Sequence, residues 1–306
     1  MTITLFENFR AVCYAPYYAV LALDAFAEEG VPVEFATGDA PGLTARGRTD
    51  DKVSVWWGGP MRILVDRDQD PASNLVCFCE VVTRDPFFLI GKEPRPDFEF
   101  ADLAGLRLAT VSEVPTPWMC LQDDIRRAGI DPESLDRIDN QPMQANAKAL
   151  RDGTVDVIQV FEPFPELLVS KGVGHIWYSA ADRGPTTYTS LYTTEQILAE
   201  QHDAMLAMTR AIYRTQKWLH ASEPAKIAET IASYAANLDE ATLTGCIARY
   251  KSLDLWGRDP FLPEDGFDRL KAACLSGGLI QRGASYGDCV DNSFARAVIE
   301  AGPSPT

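Results

Sequence analysis

The chain has 306 residues, of which 46% are hydrophobic and 24% charged, and its formal net charge at pH 7 is −16. This length is sufficient for two lobes with separate cores. The acidic excess argues against binding to nucleic acids or anionic membranes, because both require basic surface patches. It does not exclude an anionic ligand, since screening limits the reach of distant charges to about 10 Å and one local arginine can dominate a site.

The sequence from Met1 to Phe6 is typical of a strand, without the basic and apolar regions of a signal peptide. No apolar run approaches the roughly 18 residues that a membrane span needs. We therefore expect a cytoplasmic protein, or a periplasmic one if a leader has been removed. The seven cysteines are scattered and odd in number, so we expect them to be reduced and free of metal.

Strand and helix patterns alternate along the first 190 residues, which predicts an α/β fold. In the first part, strands are predicted at 3–8, 31–36, 53–57 and 75–82, with helices at 17–29 and from 60 to 65. The next part has predicted strands at 86–91, 106–111, 155–160 and 173–179, with helices at 117–127, 144–151 and 162–170. The last part is helical over 194–220, 223–236, 240–251 and 263–276.

The apolar strand at 75–82 runs on into the next strand, and the chain turns helical after about residue 193. This predicts two lobes joined by crossings near 82–86 and 188–193. Residues 1–83 and 190–306 would form lobe one, and residues 84–189 would form lobe two.

Two segments carry a family resemblance. Asp102 to Ala109 reads D-L-A-G-L-R-L-A, and residues 153–163 contain G-T-V-D-V followed by E-P. With Ala15-Pro16-Tyr17-Tyr18 at the first helix, they resemble the NMT1/THI5-like family, which includes binding proteins of sulfonate, nitrate, taurine and pyrimidine ABC transporters. The resemblance implies a two-lobed periplasmic-binding-protein type 2 fold with two interlobe crossings.

Ligands in open α/β sheets bind at the carboxyl ends of strands, so we expect the site between the lobes. Lobe one would contribute Arg10, Tyr14, Trp57, Gly58 and Gly59. Arg10 could hold a carboxylate or sulfonate by paired hydrogen bonds, and the two glycines let backbone N–H groups approach a ligand. Adjacent Trp56 and Trp57 point to opposite faces of a strand, so either of them could face the cleft while the other fills the core.

Lobe two would contribute Ser112, Thr116, Trp118 and Glu162. Thr116 before Pro117 is typical of a helix N-cap, and an N-terminus favours an anion. Glu162 ends a buried strand and would suit an amino group such as that of an aminopyrimidine. The alternative for Glu162 is a hydrogen bond between the lobes.

No sequence pattern of a catalytic nucleophile, a phosphate-binding loop or a metal site is present. We therefore expect no catalytic residue, no cofactor and no bound metal.

The leading hypothesis is a solute-binding protein that serves an ABC permease. Its ligand would be small, polar, and planar or anionic: an aminopyrimidine thiamine precursor, a sulfonate or an aromatic acid. The main alternative is a cytoplasmic enzyme on the same fold, pyrimidine-synthase-like or decarboxylase-like, although the lysine–histidine pair of the synthases is not found near the N-terminus. A ligand sensor is a third option.

Overall fold

The computed structural model describes residues 2–7, 9–37 and 53–302. Position 8, which the sequence prediction placed in the first strand, lies outside this part. The strands of the described part are β1 Ile3–Glu7, β2 Val33–Thr37, β3 Val53–Gly58, β4 Leu75–Val82, β5 Phe87–Gly91, β6 Arg107–Ala109, β7 Asp136–Ile138, β8 Val157–Phe161, β9 His175–Ser179 and β10 Thr189–Thr194.

Helices follow most of these strands and fill the C-terminal third. They are α1 Ala15–Ala22, α2 Ala25–Glu28, α3 Met61–Gln69, α4 Thr116–Arg127, α5 Met143–Asp152, α6 Phe164–Val169, α7 Glu195–Glu200, α8 His202–Ala221, α9 Pro224–Ile231, α10 Glu240–Ser252, α11 Glu264–Ser276, α12 Tyr286–Cys289 and α13 Ser293–Ala301. No helix in residues 2–7, 9–37 or 53–302 combines the length and the apolar character that crossing a membrane requires.

The strands form two separate five-stranded sheets, one in each lobe. The first has the order β2-β1-β3-β10-β4, and the second has the order β7-β6-β8-β5-β9. In the first sheet β1 is parallel to β2 and β3, whereas β10 runs antiparallel to β3 and β4. In the second, β5 is antiparallel to its neighbours β8 and β9. The α/β, two-lobed prediction is confirmed.

The chain passes between the sheets twice, from β4 to β5 and from β9 to β10. The first crossing, residues 83–86, lies where the sequence predicted it, whereas the second, residues 180–188, precedes most of the predicted segment 188–193, which belongs to β10. The lobe limits at residues 83/84 and 189/190 stay a prediction.

The predicted helix at 17–29 is interrupted. Asp24 takes a left-handed conformation with φ of 51°, which separates α1 from α2. An aspartate tolerates this conformation better than most residues, because its short polar side chain can hydrogen-bond locally. β7 and the short helix α12 were not part of the sequence prediction.

The core of lobe one is built on both faces of its sheet. One face carries Leu5, Val55 and Trp57, all fully buried. The other face carries Trp56 and Tyr192 in a second cluster with residues of α3 and α11. A sheet covered on both faces buries both sets of alternating side chains, and polar ones such as Thr4, Ser54 and Ser190 are buried with the apolar ones.

Candidate ligand-binding cavity

A small cavity lies between the lobes, where loops from both sheets meet. It has a volume of about 40 Å³, roughly the space of one water molecule in the liquid. The lobe-one side and the second crossing contribute Phe9, Cys13, Tyr14, Gly59, Met61, Arg62, Tyr188 and Thr189, and the other side contributes Pro86, Phe87, Val114, Thr116 and Phe161.

Aromatic rings from both lobes meet in this wall. Phe9 stacks on Phe161 with 6.2 Å between ring centroids, and Phe87 meets Phe161 edge-on at 5.0 Å. Tyr14 lies 5.6 Å from Phe9, and Tyr188 lies 6.4 Å from Phe87. Such rings offer a flat apolar ligand both contact area and favourable stacking geometry.

Arg62 is the only charged side chain among the described residues that line the cavity. It belongs to the first turn of α3 and is half-buried. No carboxylate in the described part of the chain pairs with it. The start of α3 adds the partial positive charge of a helix N-terminus, so this corner of the cavity favours an anion.

Gly59 lets the chain pass close to the second crossing. A Cβ at this position would lie 2.9 Å from the carbonyl oxygen of Tyr188, closer than real Cβ atoms come. The lobe-one loop and the crossing can therefore approach each other only with glycine here.

Two tyrosine hydroxyls supply hydrogen-bond donors. Among the described residues the buried hydroxyl of Tyr188 has no hydrogen-bond partner, and the hydroxyl of Tyr14 lies near Thr189. Burial raises the pKa of both tyrosines, so each keeps its proton at neutral pH. An unpartnered buried hydroxyl is costly, and a ligand oxygen would remove that cost.

Cys13 places a thiol in the same wall. Burial raises the pKa of this cysteine, so the thiol stays protonated and weakly nucleophilic at neutral pH. All seven cysteines are buried and free. In the described ranges, no cluster of three or more His, Cys, Asp or Glu side chains is placed to hold a metal ion.

Of the residues predicted from the sequence for lobe one, Tyr14 and Gly59 lie in the cavity wall. Gly58 lies one residue earlier, paired with Ser190 at the end of β3. Arg10 lies away from the wall: its side chain is 46% exposed and its Nε donates to Glu7 at 2.6 Å. Its guanidinium sits over the ring of Tyr234.

Neither tryptophan reaches the cavity. Trp57 is fully buried and stacks on Tyr17, with 4.3 Å between ring centroids. Trp56, on the opposite face of β3, stacks between Phe6 and Tyr192. The expectation that one of the pair faces the cleft is wrong, because helices cover both faces of this sheet.

In lobe two, Thr116 lines the cavity, whereas Ser112 is exposed and Trp118 is not in the wall. Trp118 is 8% exposed, and the guanidinium of Arg137 lies over its ring, 3.9 Å from the ring centroid. Thr116 is the first residue of α4 rather than its N-cap, which is Pro115 without a side-chain capping bond.

Glu162 is held by other protein groups. Its carboxylate is fully buried, pairs with Arg249 of α10 and accepts the Glu166 N–H at 3.0 Å. Its own N–H donates to the Tyr250 hydroxyl at 3.0 Å. Burial raises the pKa of Glu162, an effect that Arg249 opposes. The sequence left open a hydrogen bond between the lobes as the alternative, and within the predicted lobe limits the contact with Arg249 is of that kind.

Sequence reasoning missed Arg62, Tyr188 and the two phenylalanines Phe9 and Phe87. Arg62 had a usable signal, because it lies in the first turn of a helix that follows a Gly-Gly-Pro turn. Tyr188 gave none, since nothing local marks a crossing residue as part of a wall.

A larger cleft, of about 660 Å³, lies on the outer side of lobe one. It runs between α7, the start of α8 and the segment from Tyr286 to Arg296. No residue of the second sheet lines it, so closure of the lobes would not enclose a ligand there.

Comparisons with known proteins agree with this architecture. The chain is 27% identical over 299 residues to YtlA of Bacillus subtilis (strain 168), whose name calls it a binding protein; the match covers 95% of this chain and 88% of that one. The structure is similar to the periplasmic sulfonate-binding protein SsuA of Methylobacillus flagellatus KT, with a TM-score of 0.77, 14% identity and coverage of 98% and 94%.

It is also similar to the desulfurization enzyme DSZB, with a TM-score of 0.72, 12% identity and coverage of 98% and 99%. At these identities the structural likenesses establish the fold alone. The profile of the NMT1-like family matches residues 90–235. The chain is thus similar to the NMT1-like family over these residues, and it has the two-lobed α/β fold seen in periplasmic binding proteins.

Proposed function

We propose that this chain is the solute-binding protein of an ABC importer, and that its ligand is a small organic anion with a flat apolar body. The observation that carries the proposal is Arg62, a cation in a cavity between two lobes that has no ion-pair partner among the described residues. An unpaired arginine next to a helix N-terminus is well suited to a sulfonate or carboxylate, which it can contact through two parallel hydrogen bonds.

The rest of the wall fits the other end of such a ligand. Phe9, Phe87 and Phe161 offer ring faces and edges, and Tyr188 offers a hydroxyl that lacks a partner. A hydrophobic site with few polar groups is the usual composition of a small-molecule site. Aromatic acids and aryl sulfonates combine both features.

An aminopyrimidine thiamine precursor finds less support. A carboxylate would suit its amino group, but Glu162 is already engaged by Arg249. None of the described residues in the cavity wall carries a negative charge.

Binding would require the lobes to separate. A volume of about 40 Å³ is far too small for an organic anion, so the described conformation is closed. Contacts between α4 and α11 hold it: the Gln122 Nε2 donates to Ser276 Oγ at 2.8 Å and to the Ala273 carbonyl at 3.2 Å. Hinge opening and ligand-stabilised closure would give a permease a conformation to recognise.

The relatives are consistent with this function. YtlA is named as a binding protein, and SsuA is named as a sulfonate-binding protein of an ABC transporter. A binding protein of an importer works on the outer side of the membrane, where it meets the permease.

A thermal-unfolding screen tests the proposal. We expect benzenesulfonate or benzoate to raise the melting temperature at millimolar concentration, and aminopyrimidines to leave it unchanged. Calorimetry on the active compound should then give a stoichiometry of one. An aminopyrimidine that stabilises the protein while all anions fail would contradict the proposal.

The second candidate is an enzyme, favoured by the position of Cys13. Its thiol lies in the cavity wall, and the fold is shared with a desulfurization enzyme. The raised pKa of Cys13 counts against a thiolate nucleophile. Incubation of the protein with each binding anion, followed by NMR of the small molecule, separates the candidates. An unchanged ligand supports binding alone, and a product that disappears in Cys13→Ser supports the enzyme.

A further inference from the structure

The cavity wall is supported from behind by α10, a helix of the C-terminal third. Tyr250, near the end of this helix, is fully buried and is not among the described residues that line the cavity. Its ring stacks on Phe88 of β5 with 6.2 Å between ring centroids and meets Trp256 edge-on at 6.0 Å. Close packing on two sides fixes the ring, and therefore fixes the position of its hydroxyl.

The hydroxyl of Tyr250 joins two strands of the second sheet. It accepts a hydrogen bond from the Glu162 N–H at 3.0 Å and donates one to the Pro86 carbonyl oxygen at 3.2 Å. Burial raises the pKa of Tyr250, so the hydroxyl keeps its proton and fills both roles at neutral pH.

These two backbone groups flank an aromatic pair of the cavity wall. Phe87 follows Pro86 in the sequence, Phe161 precedes Glu162, and the two phenylalanines are paired across β5 and β8. The same antiparallel register would place Pro86 opposite Glu162 as the next pair. The Tyr250 hydroxyl stands between the donor and the acceptor at that position, and Pro86 has no N–H of its own to give. A side chain of α10 therefore sets the separation of the two strands where they reach the cavity.

The edge-on contact of Tyr250 with Trp256 continues to the opposite wall. The indole N–H of Trp256 donates to the carbonyl oxygen of Cys13 at 2.8 Å, and Cys13 lines the cavity. Tyr250 is thus packed between groups that support both sides of the cavity, without touching the space inside it.

We propose that Tyr250 is a positioning residue of the cavity, whose hydroxyl sets the spacing of Phe87 and Phe161 and thereby the preference for aromatic over aliphatic anions. The inference rests on the proposed function, because it concerns how the same cavity selects the body of its ligand. Aromatic contacts are favourable only at defined separations and angles, so a change in strand spacing weakens the contact with an aryl group. The anionic group, which the proposed function assigns to Arg62, should not respond.

Calorimetry with benzenesulfonate and methanesulfonate on Tyr250→Phe tests the proposal. Benzenesulfonate should bind about tenfold more weakly than to the wild type. Methanesulfonate presents the same anionic group without a ring and should bind as before. Tyr286→Phe is the matched control, because its hydroxyl also bridges a donor and an acceptor, Asn292 and Leu262, but lies at the outer cleft of lobe one. It should keep the wild-type ratio of the two affinities.

Fluorine NMR of 4-fluorophenylalanine placed at position 161 alone reads the position of that ring without any ligand. The resonance should move in Tyr250→Phe and stay in place in Tyr286→Phe. An unchanged ratio of the two affinities in Tyr250→Phe, or an unmoved resonance, would overturn the proposal. A wild-type protein that binds neither sulfonate would instead contradict the proposed function, and the fluorine resonance would still decide whether Tyr250 positions the ring.

Discussion

Arg249 and Glu162 form an ion pair that joins α10 to the end of β8, and Arg249 also donates to Glu166 at 2.8 Å. Glu162 is fully buried in this arrangement, and the arginine is 20% exposed. The pair lies outside the cavity wall, so its role is to hold the second lobe against the C-terminal helices.

Replacing Arg249 by methionine should therefore lower the free energy of unfolding, because it leaves a buried carboxylate uncompensated. The expected loss is about 3 kcal/mol. Urea unfolding at pH 7 measures it. Glu166→Gln, which removes the more exposed partner, should cost clearly less, and an Arg249→Met protein as stable as the wild type would show that the pair contributes nothing.

Tyr188→Phe should weaken binding of the organic anion about tenfold, because it removes the hydroxyl that lacks a protein partner. Stability without ligand should be unchanged or slightly higher. Calorimetry measures the affinity. The matched control is Tyr17→Phe, which removes another unpartnered buried hydroxyl that lies in the core beside Trp57. Equal losses in both variants would contradict a specific role for Tyr188.

Gly59→Ala should impair closure of the lobes, because the new Cβ would meet the carbonyl oxygen of Tyr188 at 2.9 Å. We expect weaker ligand binding and a larger radius of gyration in the presence of ligand, measured by small-angle X-ray scattering. Gly287→Ala is the control, since a Cβ there meets nothing within 4 Å. A compact Gly59→Ala protein with normal affinity would show that the close approach is not needed.

Asp156 gives lobe two a predictable pH dependence. Hydrogen bonds from the Arg107 side chain and backbone lower the pKa of Asp156 from its usual 3.8 to about 2. A lowered carboxyl pKa stabilises the fold above the unfolded-state value, and this contribution is lost as the pH falls from about 4 towards 2. Both side chains are more than a third exposed, so the effect at pH 7 should stay below about 1 kcal/mol.

Asp156→Asn should therefore be less stable than the wild type at pH 7, with a difference that shrinks between pH 4 and pH 3. Urea midpoints at pH 7, 4 and 3 give this comparison. A difference that grows as the pH falls would have the wrong sign for a lowered pKa.

The sequence predicted the fold well where local patterns decide the structure. β4 covers Leu75–Val82 as predicted, because an apolar run interrupted only by Glu80 and bounded by polar residues is typical of a strand buried on both faces. The helix predicted at 17–29 was wrong at Asp24, whose left-handed conformation has no sequence pattern of its own.

The site was harder to predict than the fold. The rule that ligands lie at strand ends points to the loops that contain Tyr14, Gly59 and Thr116, all of them in the cavity wall. It does not separate a cleft-facing side chain from a core one, as Trp57 shows. The rule also gives no information on contacts between residues that are distant in the sequence. The ion-pair partner of Glu162 lies 87 residues further along the chain.

Calorimetry on two arginine variants tests most directly whether Arg62 holds the anionic group of the ligand. Arg62→Gln should lose at least about 30-fold in affinity for the best anion of the screen, because it removes the only charge in the described wall. Arg10→Gln, whose wild-type arginine lies outside that wall, should bind normally. Unchanged affinity in Arg62→Gln with folding intact, or a loss confined to Arg10→Gln, would contradict the account.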